Sequence, residues 1–230
     1  MATILEPEAV SARTVHLEFE DGIAIIRLDQ PGKPVNVISA ALIEEMTAII
    51  QRLEAGEAGV RAAVILSAKK GTWIAGADIE EFKKFQSAAD AEQVSRTGQE
   101  LLNRLERLRI PVVAAIDGVA LGGGLEVALA CTYRMATDSP KTKLGLPEVN
   151  LGIVPGAGGT QRLPRLIGLA GSLDLMLTGK QLDGRRAKSA GIVDEVVPAP
   201  ILAREAKRAA RDLASGKLKP KGARRRGSPS

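Results

Sequence analysis

Pro111-Val-Val-Ala-Ala-Ile-Asp-Gly-Val-Ala-Leu-Gly-Gly-Gly-Leu-Glu-Val-Ala-Leu-Ala130 is the stretch that decides the fold. Pro111 opens an apolar run, Val112–Ile116, of the length and uniform hydrophobicity expected of a strand buried on both faces. A glycine turn follows, and then a helix that carries Glu126 and has no polar face. Working outward, residues 15–28 alternate and read as a hairpin with a buried second strand. Gln30–Pro34 is a loop. Ser39 caps a helix whose inward face is Leu42, Met46, Ile49, Ile50 and Leu53. Ala62–Ser67 is another buried strand, and Lys69–Asp78 is a loop entering a short helix. Residues 90–109 form a long amphipathic helix. Residues 131–137 and 192–197 read as strands, and 164–178, 183–190 and about 200–214 as helices. Strands of parallel-sheet character alternate with helices, so the class is α/β.

Composition narrows the chemistry. One cysteine, Cys131, excludes an intramolecular disulfide and a Cys-based zinc cage, and reads as a packing group. One histidine, His16, lies near the terminus in a strand-like segment and reads as structural or exposed. No apolar run reaches the roughly 20 residues of a membrane span. The N-terminus, with Glu6 and Glu8, lacks the order of a signal peptide, so an intracellular, cytoplasmic protein is expected. The chain's net charge of +5 belongs to its end. Residues 201–230 carry ten Lys or Arg against Glu205 and Asp212, a net +8, which leaves residues 1–200 at −3. The expected organisation is a catalytic domain over 1–200, a helix over 201–215 and a basic, disordered tail over 216–230. The tail has no interleaved aromatics for base stacking, so no nucleic-acid partner is expected.

Nucleotide and hydrolase motifs fail on spacing. Gly156-Ala-Gly-Gly-Thr-Gln161 is not a dinucleotide fingerprint, Gly179-Lys180 lacks the upstream glycine of a phosphate loop, and no serine elbow is present. What remains is Glu126 in Leu121–Ala130 and Glu148 in Leu144–Val154, two carboxylates in apolar settings beside glycine-rich backbone. Burying a carboxylate is costly unless it is protonated, paired or used. Glycines before a helix leave N–H groups open to a ligand oxygen, and Gly122–Gly124 and Ile74–Asp78 both have that character. Each residue also has a plainer reading. The glycines could only permit turns, Glu126 could cap its own helix, and Glu148 could be a surface loop carboxylate.

Together the motifs settle the choice. Ile74-Ala-Gly-Ala-Asp-Ile79, Pro111–Glu126, Leu144-Gly-Leu-Pro-Glu148 and Gly152–Leu163 occur in the order and spacing of the crotonase (enoyl-CoA hydratase/isomerase) family, which the chain resembles over about residues 14–200. Lys141–Glu148 and Leu177–Gln181 are most similar to the amino-terminal domain of multifunctional fatty-acid-oxidation α subunits. The resemblance implies a spiral of repeated β-β-α units, with the family's C-terminal helices largely missing. It implies a coenzyme A thioester substrate and no separate cofactor or metal. It gives the oxyanion-hole amides as Ala77 and Gly123, the catalytic carboxylates as Glu126 and Glu148, and a water-positioning amide at Gly156. A homo-oligomer, or a place in a larger fatty-acid-oxidation complex, is the implied assembly. Hydration of a 2-trans-enoyl-CoA is the expected reaction, with double-bond isomerisation as its rival and a non-catalytic binding protein using the basic tail as a third reading. Replacing Glu148 by Gln is expected to harm hydration more than isomerisation. Which glutamate is acid and which is base is open in the sequence.

Overall fold

The computed structural model describes residues 13–57 and 59–220. The expectations for the N-terminal leader and for residues 221–230 of the basic tail lie outside them. The chain runs β1 (Val15–Glu20), β2 (Ile23–Leu28), α1 (Ala40–Glu54), β3 (Ala62–Ser67), β4 (Thr72–Ile74), α2 (Ile79–Phe82), α3 (Ala88–Arg107), β5 (Val112–Ile116), β6 (Val119–Leu121) and α4 (Gly123–Ala130). It continues through β7 (Tyr133–Thr137), β8 (Lys143–Gly145), a 3-10 turn (Pro147–Leu151), α5 (Gly159–Ile167), α6 (Leu169–Thr178), α7 (Gly184–Ser189), β9 (Glu195–Val197) and α8 (Leu202–Ala214).

Two sheets organise these elements. The larger has the order β1-β2-β3-β5-β7-β9, antiparallel only between β1 and β2. The smaller is β4-β6-β8, all parallel. β1 and β2 both join the large sheet before α1, and each of the next three turns of the chain contributes one strand to the large sheet, the next to the small one, and then helix or helical turn. β3-β4-α2, β5-β6-α4 and β7-β8 with its 3-10 turn repeat this β-β-α step, and the fold is the crotonase-type α/β spiral.

Alternation within the strands feeds two cores. Ala24, Ile26, Ala63, Ile65, Ala114 and Ile116 face α1, α3 and α4. Ile23, Ile25, Ala62, Val64, Val113 and Ala115 face the other way, where Ala206, Ala209 and Ala210 of α8 cover them. Small residues on α8 let it lie close against a sheet built from Ala, Val and Ile. Burial on both faces is why these strands read as continuous apolar runs.

Several local expectations are corrected. Residues 72–74 and 119–121, expected as loop and turn, are strands of the small sheet, and so are residues 143–145. The single helix expected over 164–178 is two, because Gly168 at φ 85° breaks the chain between α5 and α6. At the other end, Leu218 donates its N–H to Asp212 O at 3.0 Å and packs beside the α8 core. His16 is exposed. Cys131 is buried, its thiol donating to Val127 O, and burial pushes it up to about 12.

Candidate active site

The small sheet creates the site. Its strands β4, β6 and β8 run parallel, and at the carboxyl end of each the chain turns into a helix or helical turn. Carboxyl ends of parallel strands are where α/β folds gather ligands, because the loops there end in helix N-termini with free N–H groups. β4 leads through Ala75-Gly-Ala to Asp78, which caps α2 by accepting from Glu80 N. β6 leads through Gly122 into α4. β8 leads through Leu146 into the turn that carries Glu148.

Glycine is required at this junction. Gly122 sits at φ 53°, ψ −125°, and a Cβ there would lie 3.0 Å from Glu148 Oε1. A Cβ on Gly124 would lie 2.3 Å from Ile74 O, so α4 is pressed directly on the end of β4. A Cβ on Gly123 would lie 2.6 Å from Ile38 Cδ1 and 3.9 Å from Glu126 Oε2. Two successive glycines therefore face the two carboxylates, one each. Glu126 and Glu148 meet at the start of α4.

The amides expected to form an oxyanion hole, those of Ala77 and Gly123, lie close by. Ile38 bridges Ala77 in parallel fashion, donating its N–H to Gly76 O at 2.8 Å and accepting from Asp78 N at 2.9 Å. That pattern turns the N–H of Ala77 away from Ile38. Gly123 is the first residue of α4, so its N–H has no acceptor within the helix. Neither amide has a partner among the described residues. Buried Asn36 holds this loop in place. Its side-chain nitrogen reaches Ser67 Oγ at 2.9 Å and Trp73 O at 3.1 Å, while its oxygen accepts from Gln30 N at 3.0 Å.

The two carboxylates sit in different environments. Glu126 is 2% exposed, and its Oε1 accepts from Ala157 N at 2.8 Å and Gly159 N at 2.7 Å, at the start of α5. Burial raises its pKa, and those amides and the Arg162 charge offset part of the rise. Glu148 is half-buried, and its Oε2 is enclosed without a hydrogen-bond partner among the described residues. Burial, and then the Glu126 charge, push it up to about 7, against its own backbone amide. Burial raises both carboxyls, but only Glu126 has backbone amides from another segment and a nearby cation acting against that rise.

Gly156 lies in the loop that contacts Glu126, but the Glu126 bonds come from Ala157 and Gly159, one and three residues on. Its own oxygen accepts from Gln99 Nε2 at 2.8 Å. Asn36, Ala157, Gly159 and Arg162 were not singled out by the sequence. An arginine close behind the Gly156–Gly159 loop was the available signal for the last.

Beside the site, an apolar cavity of about 50 Å³ lies between α1 and α3, lined by Ile38, Met46, Ile74, Leu101, Val127 and Ala157 among others. Among the described residues no three His, Cys, Asp or Glu are placed to hold a metal, and no helix is long and apolar enough to cross a membrane.

Comparison with known proteins accords with this geometry. The profile of the family described as enoyl-CoA hydratase/isomerase matches residues 18–221. The fatty acid oxidation complex subunit alpha of Shewanella loihica is 52% identical over 184 residues, which are 80% of this chain and 26% of that protein. The same subunit of Idiomarina loihiensis is 49% identical over 183 residues. The chain thus spans about a quarter of the length of these curated relatives. Among solved structures, the enoyl-CoA hydratase of Bacillus anthracis superposes with a TM-score of 0.81 at 36% identity, covering 88% of this chain and 77% of that one. Pseudomonas aeruginosa DspI gives 0.82 at 29% identity, covering 91% and 82%. By profile, by sequence and by fold, the chain belongs to the enoyl-CoA hydratase/isomerase family.

Proposed function

We propose that this chain hydrates 2-trans-enoyl-CoA to 3-hydroxyacyl-CoA in fatty acid β-oxidation. The observation that carries the reading is the pair of glutamates at the start of α4, one held by two amides and one with an unpartnered oxygen, beside two unpaired amides. The amides of Ala77 and Gly123 hold the thioester oxygen and stabilise the enolate charge, each donor worth about 100- to 1000-fold. Ionised Glu126 takes a proton from water as its oxygen bonds to C3. Protonated Glu148 gives its proton to C2 as the enolate collapses. Proton transfer from Glu126 to Glu148 then restores both. Gly156 directs its amide to the attacking water. Coenzyme A enters as part of the substrate.

Isomerisation is the second reading, favoured by one observation: a carboxyl near neutrality can both take and return a proton. Glu148 alone suffices for that shuttle, so on this reading a Gln at 148 harms both reactions, where the sequence reading expected more harm to hydration than to isomerisation. The two activities then separate at Glu126, which only hydration needs. By likeness to the oxidation-complex subunits, the chain works in the cytoplasm within a larger assembly. The exposed stripe Leu169, Leu173 and Leu177 on α6 supports that, since contiguous apolar surface favours association. Loss of the enoyl absorbance of crotonyl-CoA, followed at micromolar enzyme, tests hydration directly. No turnover above the uncatalysed rate would sink it.

A further inference from the structure

Arg162 is a cation buried to 7% exposure in α5, and its bonds tie α3 to the loop that holds Glu126. Nε donates to Glu106 Oε2 at 2.9 Å and Nη2 to Asn103 Oδ1 at 2.7 Å, both on α3. Nη1 donates to Ala157 O at 2.9 Å. The glycine loop is folded over the guanidinium, for a Cβ on Gly158, at φ 106°, would lie 2.3 Å from Nη1. Ala157 and Gly159, on either side of Gly158, are the residues whose amides bind Glu126 Oε1. Burying a guanidinium costs several kcal/mol unless its donors are satisfied, and an apolar side chain would fill the space more cheaply. Something besides packing explains the arginine.

We propose that Arg162 is a positioning residue: braced on α3, it fixes the Ala157–Gly159 loop so that two amides orient the Glu126 carboxylate. The inference rests on the reading that Glu126 is the catalytic base. Lysine cannot substitute, because a single ammonium lacks the planar fork that reaches three acceptors in three directions. The charged groups at this corner are Glu106 from α3, Glu126 from α4, Glu148 from the 3-10 turn and Arg162 itself. The arginine charge opposes the burial that raises Glu126, so removing it moves Glu126 further up.

The test compares Arg162→Met and Arg162→Lys in the whole chain, with crotonyl-CoA hydration measured from pH 5.5 to 9. Methionine should leave KM within about threefold and cut kcat by about 10- to 100-fold, the scale of a misplaced catalytic group. The acidic limb of its kcat profile should move to higher pH. Lysine keeps the charge but not the fork, so kcat should fall while the limb moves less. A variant that melts earlier yet keeps the parental kcat and acidic limb would show a merely structural arginine and overturn the proposal. If the methionine variant does not fold, the lysine variant decides by kcat: the parental value overturns the proposal. An active Glu126→Gln would instead remove the reading beneath it, whatever Arg162 does.

Discussion

Glu148→Gln should stabilise this protein in mild alkali and leave it nearly unchanged in mild acid. The folded protein holds the Glu148 carboxyl near 7, against the usual 4.5, chiefly through burial. A raised carboxyl pKa means the fold prefers the protonated form. That contribution is complete below about pH 4.5 and is lost as pH rises through 7. Moving a carboxyl from 4.5 to about 7 corresponds to about 3 kcal/mol between its protonation states. Glu148 is only half-buried, and solvent screening reduces the share felt as stability to about 1–2 kcal/mol. Glutamine keeps the shape and cannot ionise. At about 2–4 °C per kcal/mol for a chain of this size, it should melt about 2–8 °C above the parent at pH 8.5. At pH 5 the two should agree to about 1 °C. Thermal melts followed by circular dichroism at both pH values give a double difference in which other titrations cancel. An equal offset at both values, or a variant less stable only at pH 8.5, would refute the reasoning. The same variant should lose hydration even while it gains stability, as expected of a group held in a costly state for its chemistry.

Other outcomes follow from the same geometry. Glu126→Gln should lower kcat for hydration by about 1000-fold, within the range of a removed acid/base group, and reduce 3-enoyl-CoA isomerisation much less; parallel assays on the two substrates check this. Gly118→Ala would bring a Cβ to 1.8 Å from the Gly71 carbonyl carbon at φ 85°, a clash of backbone on backbone. It should cost more than about 4 kcal/mol in urea unfolding, or abolish soluble expression. Cys131, buried with its thiol held near 12, should resist a thiol reagent at pH 8 until the protein is unfolded, which a timed labelling assay would show.

The large sheet was legible because β2, β3 and β5 are five- and six-residue apolar runs and β1 alternates beside β2. The helices were legible because Ser39 caps one and regularly spaced leucines mark others. The small sheet was not. Its three strands are three residues each, set beside Gly71, Gly118, Gly122 and Gly145, and so resemble loops. Their register comes from partners tens of residues away, such as Thr72 with Val119 and Val119 with Lys143. No local pattern encodes such pairing. The break at Gly168 was hidden for the opposite reason, because apolar residues continue on both sides of it.

From sequence alone came the chemistry on offer: two carboxylates in apolar company, glycines at helix starts, and motifs in a family's order. Those are properties of side chains and short spacings, and the chain states them directly. Only the tertiary structure gave the carboxylates different surroundings. The amides of Ala157 and Gly159 bond one Glu126 oxygen and oppose the burial that raises its pKa, whereas one Glu148 oxygen is enclosed with no partner among the described residues. Protonation depends on what surrounds a group in space, and here those surroundings come from segments that only the small sheet brings together.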